Sequence, residues 1–319
     1  MLYLCQKEKK TSLAFMRSVP YIFRLLFCMI IFLSCQELDN VGLEDSLDCS
    51  HVNSQDSLLS KTDTLSPLRI AIIGDSISSF AGFSPSSIIG YNGTNYKTYY
   101  PKGDVRKVEN MWWYKVATSL HVSPEHIANC SWSGSTVTGD SSSSTNAFAG
   151  CSFKRVTDLS YKGFSPNLVI CFISCNDWAL NTPIGTWSSD DTLPKEGRIS
   201  TMRVAYALMI SKIKTTFPES LVVCLTNLDD TKRDKTPGLP SNNSKGVSVE
   251  EWNRNIKDIS EALGCFTIDL QDSGIDYHNI SKLSVDNGLH PNDAGMSIIA
   301  NKVAQELRKI LEDSSLTSR

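Results

Sequence analysis

Residues 70–76 read Ile-Ala-Ile-Ile-Gly-Asp-Ser. The short apolar run has the character of a buried parallel strand, and it stops at a glycine that permits a sharp turn. In open α/β sheets reactive groups gather in the crevice beyond the carboxyl ends of the strands. Ser76 stands at such an end. Three further segments extend the reading. Asn129-Cys130-Ser131-Trp132-Ser133-Gly134-Ser135-Thr136 follows a short apolar stretch at Ile127, and Ser174-Cys175-Asn176-Asp177 follows the run from Leu168 to Ile173. Asp286-Asn287-Gly288-Leu289-His290-Pro291-Asn292 precedes a long amphipathic pattern. In order these supply a hydroxyl, a glycine amide, a carboxamide and an imidazole. Acyl transfer needs that set: a nucleophile, a general base and pre-aimed oxyanion donors.

Five apolar runs read as parallel strands: 68–73, about 126–130, 168–173, 221–226 and 265–270. Helical patterns separate them. Trp112, Trp113, Val116 and Leu120 recur at helical spacing over 109–120, and Met202, Ala205, Met209, Ile213 and Phe217 mark one face of 201–217. Ser248-Val249-Glu250-Glu251 opens the next helix as a capping box, and Asn292 caps a last helix reaching about Leu311. Alternating strands and helices imply an α/β three-layer sandwich around a five-stranded parallel sheet. The connections 77–108, 135–167 and 227–247 are long for a compact domain and rich in Ser, Gly, Asn and Tyr, including Tyr91, Tyr96, Tyr99 and Tyr100. They are expected to roof the crevice.

The order and wording of the four blocks resemble the SGNH (GDSL-type) hydrolase superfamily over roughly residues 68–311. Gly74-Asp75-Ser76-Ile77-Ser78 looks like its nucleophile block, and Gly134 falls in the position of its block glycine. Asn176-Asp177 matches the end of its Gly-x-Asn-Asp block, and Gly288-Leu289-His290-Pro291-Asn292 its histidine block. The resemblance implies a flavodoxin-like fold and an esterase with no metal or organic cofactor. Ser76 is then the nucleophile and His290 the base; Gly134, Asn176 and the Ser76 amide form the oxyanion hole. O-acyl esters follow as substrates, especially acetyl groups on carbohydrates. A lipid acyl-hydrolase and a glycan-binding lipoprotein with an impaired site are the alternatives. Two positions depart from the pattern. Ser174 stands where the third block opens with Gly, and Asn287 stands where the acid lies three residues before the histidine. Because Gly288 makes that turn permissive, Asp286 is taken as the acid and Asn287 as the alternative orienting residue.

Other templates fit worse. The chain has no Gly-x-Ser-x-Gly elbow, no His-Glu-x-x-His and no phosphate-binding glycine loop after a strand. Asp269, Asp272, Asp276 and His278 read as strand-end and loop polarity rather than a metal cluster. Trp132 and Trp178 follow two of the blocks and either pack in the core or stack on a ligand.

The 319-residue chain carries a net charge of −3, unevenly spread. Residues 1–35 are basic, 36–66 strongly acidic, and the remainder near neutral. No basic patch recommends nucleic acid as a partner. Arg24 precedes the apolar run Leu25–Leu33 and then Ser34-Cys35. A basic flank, a short apolar run and a small residue make a secretory signal, too short for a span of about 20 residues. Ser34-Cys35 resembles a bacterial lipobox, with Cys35 lipidated and anchoring the chain to the membrane. Met16 also opens a compact signal. The organisation expected is a signal peptide over 1–35, an acidic tether over 36–66 and one esterase domain over 67–313, held at the outer membrane or surface of a bacterial envelope. An odd number of cysteines beyond Cys35 specifies no disulfide framework, although Cys130 with Cys151 is conceivable.

Overall fold

A computed structural model describes residues 67–85, 98–194, 196–229 and 242–317. Cys35, the signal and tether segments, and parts of the loops 77–108 and 227–247 lie outside these residues. Among the described residues no helix is long and apolar enough to cross a membrane.

The strands, in chain order, are β1 (Ile70–Gly74), β2 (Ile127–Asn129), β3 (Gly139–Asp140), β4 (Leu168–Phe172), β5 (Arg198–Ile199), β6 (Leu221–Leu225) and β7 (Phe266–Ile268). Five of them form a parallel sheet in the order β2-β1-β4-β6-β7, while β3 and β5 make a small antiparallel ribbon. The helices are α1 (Trp112–Ser119), α2 (Phe153–Thr157), α3 (Cys175–Ala179), α4 (Met202–Thr216), α5 (Val249–Ala262) and α6 (Asp293–Thr317).

Strand periodicity explains the layering. Ile70 and Ile72 of β1, with Leu168, Ile170 and Phe172 of β4, enter one apolar cluster with Trp112 and Val116 of α1 and the α6 stripe Met296, Ile299, Val303 and Leu307. The intervening Ala71, Ile73, Val169 and Cys171 point the other way, into a second cluster with Met209 and Ile213 of α4 and Trp252, Ile256 and Ile259 of α5. Successive side chains on a strand face opposite sides, so a sheet covered on both faces reads as continuous hydrophobic runs. The expected three-layer sandwich is the observed one.

Helix ends follow local chemistry. Ser248 Oγ accepts the Glu251 amide at 3.0 Å ahead of α5, and Asn292 Oδ1 accepts the Gly295 amide at 3.0 Å ahead of α6. The connection 135–167 is no plain loop, since it contains β3, α2 and a 3-10 turn at Asp158–Ser160. No Cys130–Cys151 bridge forms: both are buried free thiols, and Cys130 Sγ donates to the Asp158 carbonyl at 3.0 Å.

From β1 the chain crosses to β2 on one side and later to β4 on the other. Such a reversal opens a crevice at the carboxyl ends of the two central strands. Ser76 follows β1 there, and Asn176 follows β4.

Candidate active site

Ser76 lies in a tight turn after β1. Asp75 Oδ1 accepts the Ile77 amide at 3.1 Å, and the Ser79 amide returns to the Ser76 carbonyl at 3.3 Å. Helix α1 holds this turn from below: the Trp112 indole donates to Ser78 Oγ at 3.0 Å and the Trp113 indole to the Ser78 carbonyl at 2.9 Å. Gly74 has to be glycine, because a Cβ there would sit 2.6 Å from Ser131 Oγ and 2.8 Å from Ser78 Cβ. Burial pushes the Asp75 carboxyl up from its ordinary range, against hydrogen bonds from the Cys175 thiol at 3.1 Å and from the Ile77 amide. Asp75 thus braces the turn.

His290 Nε2 lies 2.8 Å from Ser76 Oγ, and His290 Nδ1 lies 2.5 Å from Asp286 Oδ2. With the Nδ1 proton directed at the carboxylate, Nε2 is the acceptor for the serine hydroxyl. Asp286 Oδ1 also takes the backbone N–H of His290 at 2.9 Å and of Leu289 at 3.3 Å. The Asp286 carboxylate is therefore bound by the loop that carries His290. Asn287, with φ 65°, is exposed, and Gly288 follows at φ 130°. This backbone puts Asp286, four residues before the histidine, against the imidazole.

The glycine and asparagine blocks are stitched to β1. The Trp132 amide donates to the Gly74 carbonyl at 3.0 Å, and the Ser135 amide closes a turn onto Trp132 at the same distance. Gly134 sits in that turn at φ +80°, with no atom within 4 Å of where a Cβ would be. Asn176 Nδ2 donates to the Ser135 carbonyl at 2.9 Å, and its carboxamide carries a second N–H. Asp177 accepts from the Val137 amide at 2.7 Å, the Thr138 amide at 3.1 Å and Thr138 Oγ1 at 2.7 Å. Desolvation pushes its carboxyl up to about 6. Beneath these blocks the fully buried Arg155 donates to the Gly74 carbonyl, to the Ala147 carbonyl at 2.7 Å and to Ser135 Oγ at 3.3 Å.

The sequence model of the family described as GDSL-like Lipase/Acylhydrolase matches residues 68–307. The chain belongs to that family. No curated protein matches it. Among solved structures, a protein assigned as a GDSL-like lipase from Bacteroides uniformis is 22% identical, covering 76% of this chain and 96% of its own, with a TM-score of 0.51. A protein from Lactobacillus plantarum is 18% identical, covering 77% of this chain and 98% of its own, with a TM-score of 0.52. At such identities the likeness is one of fold.

Other candidates of this GDSL-like chain fall elsewhere. Trp132 and Trp178 are buried; Trp132 packs edge-on against Phe148, and the Trp178 indole donates to the Val247 carbonyl at 2.9 Å. Core packing is therefore the reading that holds for both. Among the described residues no group of His, Cys, Asp and Glu could hold a metal ion. Asp269 instead pairs with Lys257 and accepts from Thr226 Oγ1 at 2.8 Å, while Asp276 accepts the His278 amide at 2.8 Å. A cavity of roughly 390 Å³ flanks the Gly134 and Asn176 blocks without reaching Ser76. Its wall combines Phe148 and Leu180 with Thr136, Asp140, Thr182 and Arg198.

Two contributors received no role from the sequence, although Tyr99 belongs to a loop expected to roof the crevice. Tyr99 stacks on the His290 ring, with centroids 3.5 Å apart and an interplanar angle of 11°. Arg155, a charged residue inside a predicted loop, reads as surface until its carbonyl partners are known.

Proposed function

We propose that this protein is a serine esterase that hydrolyses O-acyl esters, foremost O-acetyl groups on carbohydrates, through an acyl-enzyme on Ser76. The observation that carries the reading is the unbroken set of contacts Ser76–His290–Asp286 at 2.8 and 2.5 Å. In this mechanism His290 Nε2 takes the Ser76 proton as Oγ attacks the ester carbonyl. The oxyanion draws on the amides of Ser76 and Gly134 and on the Asn176 carboxamide, each such donor being worth about 10²–10³ in turnover. His290 then returns the proton to the departing alcohol. A water activated by the same imidazole cleaves the acyl-enzyme and releases the acid. Asp286 holds the tautomer and stabilises the imidazolium. No metal or organic cofactor enters the scheme.

The carbohydrate preference draws on the polar members of the flanking cavity, Asp140, Arg198 and the threonines. Its apolar side, Phe148 and Leu180, favours a second reading in which a long acyl chain is bound. Initial rates on p-nitrophenyl acetate and on its long-chain analogue separate the two: faster acetate release is expected, and a long-chain preference makes the protein a lipase. Ser76→Ala should abolish turnover with an unchanged fold, and a fluorophosphonate probe should label Ser76 in the parent protein alone. Labelling at another serine removes the assignment.

The same reading extends to location. The basic flank, apolar run and Ser34-Cys35 support export and lipidation at Cys35, with 36–66 as the leash. Membrane-fraction recovery and palmitate incorporation should both vanish in Cys35→Ser. A mature N-terminus mapped elsewhere contradicts the anchor.

A further inference from the structure

The mechanism above leaves unused a tyrosine and a lysine that lie against its acid. The phenol of Tyr99 donates to Asp286 Oδ2 at 3.0 Å, the same oxygen that receives His290 Nδ1. Lys102 Nζ in turn donates to Tyr99 Oη at 2.9 Å, and its ammonium lies 4.4 Å from the centre of the same ring. The ring itself covers one face of the imidazole. A phenol so placed has one orientation open to it: it accepts from the ammonium and donates to the carboxylate.

The segment that carries Tyr99 is fixed on both sides of the reacting pair. The Tyr99 amide donates to Ser79 Oγ at 2.8 Å, and the Tyr100 amide to the Ser79 carbonyl at 3.3 Å. Ser79 lies three residues beyond the nucleophile. The Tyr100 phenol reaches the Pro291 carbonyl at 2.6 Å, next to the histidine. The stretch Tyr99–Tyr100 therefore ties the serine turn to the histidine loop and stacks the Tyr99 ring on the imidazole.

We propose that Tyr99 and Lys102 are positioning residues that extend the Ser76–His290–Asp286 set into a five-membered chain, fixing the plane of the imidazole and setting the charge carried by the acid. The proposal rests on the esterase reading of the same site. A carboxylate that receives an additional hydrogen bond, backed by a cation, holds less charge against the imidazole. The chain thus weakens the grip of Asp286 on the imidazolium. Burial and the neighbouring carboxylate push the Tyr99 phenol well above its ordinary range, so it stays protonated and donating throughout the working range. Among the described residues, the other titratable groups near the pair include Asp75, from the turn after β1, and Tyr100, from the same segment as Tyr99; Asp104 acts on Tyr100.

Tyr99→Phe keeps the stack and removes the hydrogen bond; Lys102→Met removes the cation. Both variants should move the acid limb of the kcat/KM profile to higher pH, by about half a unit. Tyr99→Phe should also lower kcat, by up to about tenfold, because Asp286 loses the tether that holds it and the imidazole in one plane, with KM nearly unchanged. Lys102→Arg should restore the parent profile. The double variant Tyr99→Phe/Lys102→Met should be no worse than Tyr99→Phe alone, because the lysine acts through the phenol. Proton NMR of the His290 Nδ1–H resonance gives a readout independent of turnover, and it should move downfield in both single variants as the acid becomes a stronger acceptor. A pH profile, kcat and resonance all unchanged in Tyr99→Phe overturn the proposal. If the parent protein turns over no ester, the esterase reading fails by itself, while the resonance still decides whether Tyr99 and Lys102 act on the pair.

Discussion

At Asp286 and Asn287 a displacement of one residue decides which side chain backs the histidine. Asp286 Oδ1 takes two backbone amides and Oδ2 takes the imidazole, whereas Asn287 is exposed. Asp286→Ala should cost at least about 10²-fold in turnover, since loss of a triad carboxylate costs up to about 10⁴-fold elsewhere. Asn287→Ala should cost little, and Asn287→Asp should give no gain. The reverse ranking in steady-state kinetics would assign the orienting role to Asn287. Spacing alone left this choice open because it does not report a backbone turned through φ 65° and 130°. Ser174 is the second departure from the family pattern. It adopts φ 120°, a conformation suited to glycine, and its Oγ accepts the Trp252 indole at 3.2 Å and lies 3.4 Å from Asn227 Oδ1. The hydroxyl offsets part of the strain of that backbone. Ser174→Ala keeps the strain and loses the partners, and should destabilise by about 1–3 kcal/mol. Ser174→Gly should be the milder change in urea unfolding.

Helices and strands long enough to show a period were legible in the sequence. The runs 168–173 and 221–226 became β4 and β6 almost unchanged, and Ser248 opens α5 as its N-cap, the serine half of the expected capping box. Ser248→Ala should cost about 1 kcal/mol in thermal or urea unfolding, the usual worth of an N-cap. The last helix was read to Leu311 and extends to Thr317, because its polar end carries no stop signal such as glycine or proline. The short elements were not legible. β3 and β5 have two residues each, and α2 and α3 five, below the length at which periodicity means anything. Yet these pieces shape the glycine block and place Asn176. The four motif blocks were readable because each sits on one short stretch of chain, whereas Tyr99 and Arg155 act through tertiary contacts with no local wording.

For the whole molecule, buried carboxyls couple stability to acidity. Asp177 clamps the loop after Gly134 to α3, and its carboxyl is pushed up to about 6 from 3.8. The folded protein therefore holds this proton to higher pH than the unfolded chain does. Its contribution to stability is full at and below about pH 4 and is lost as pH rises towards about 6. Asp75 acts in the same direction. In paired urea titrations from pH 4 to 8, the stability of the parent protein relative to Asp177→Asn should decline with rising pH and level off above about 6. A flat difference would show that Asp177 does not titrate in that window. The spacing of the reacting groups along the chain has another consequence. Ser76 and His290 are 214 positions apart, and both acid and base arrive on the segment just ahead of α6. During synthesis the ribosome therefore releases the proposed nucleophile long before its proposed base. In the proposed mechanism a nascent chain has no complete set of reacting groups until the segment carrying Asp286 and His290 has been made and has reached Ser76.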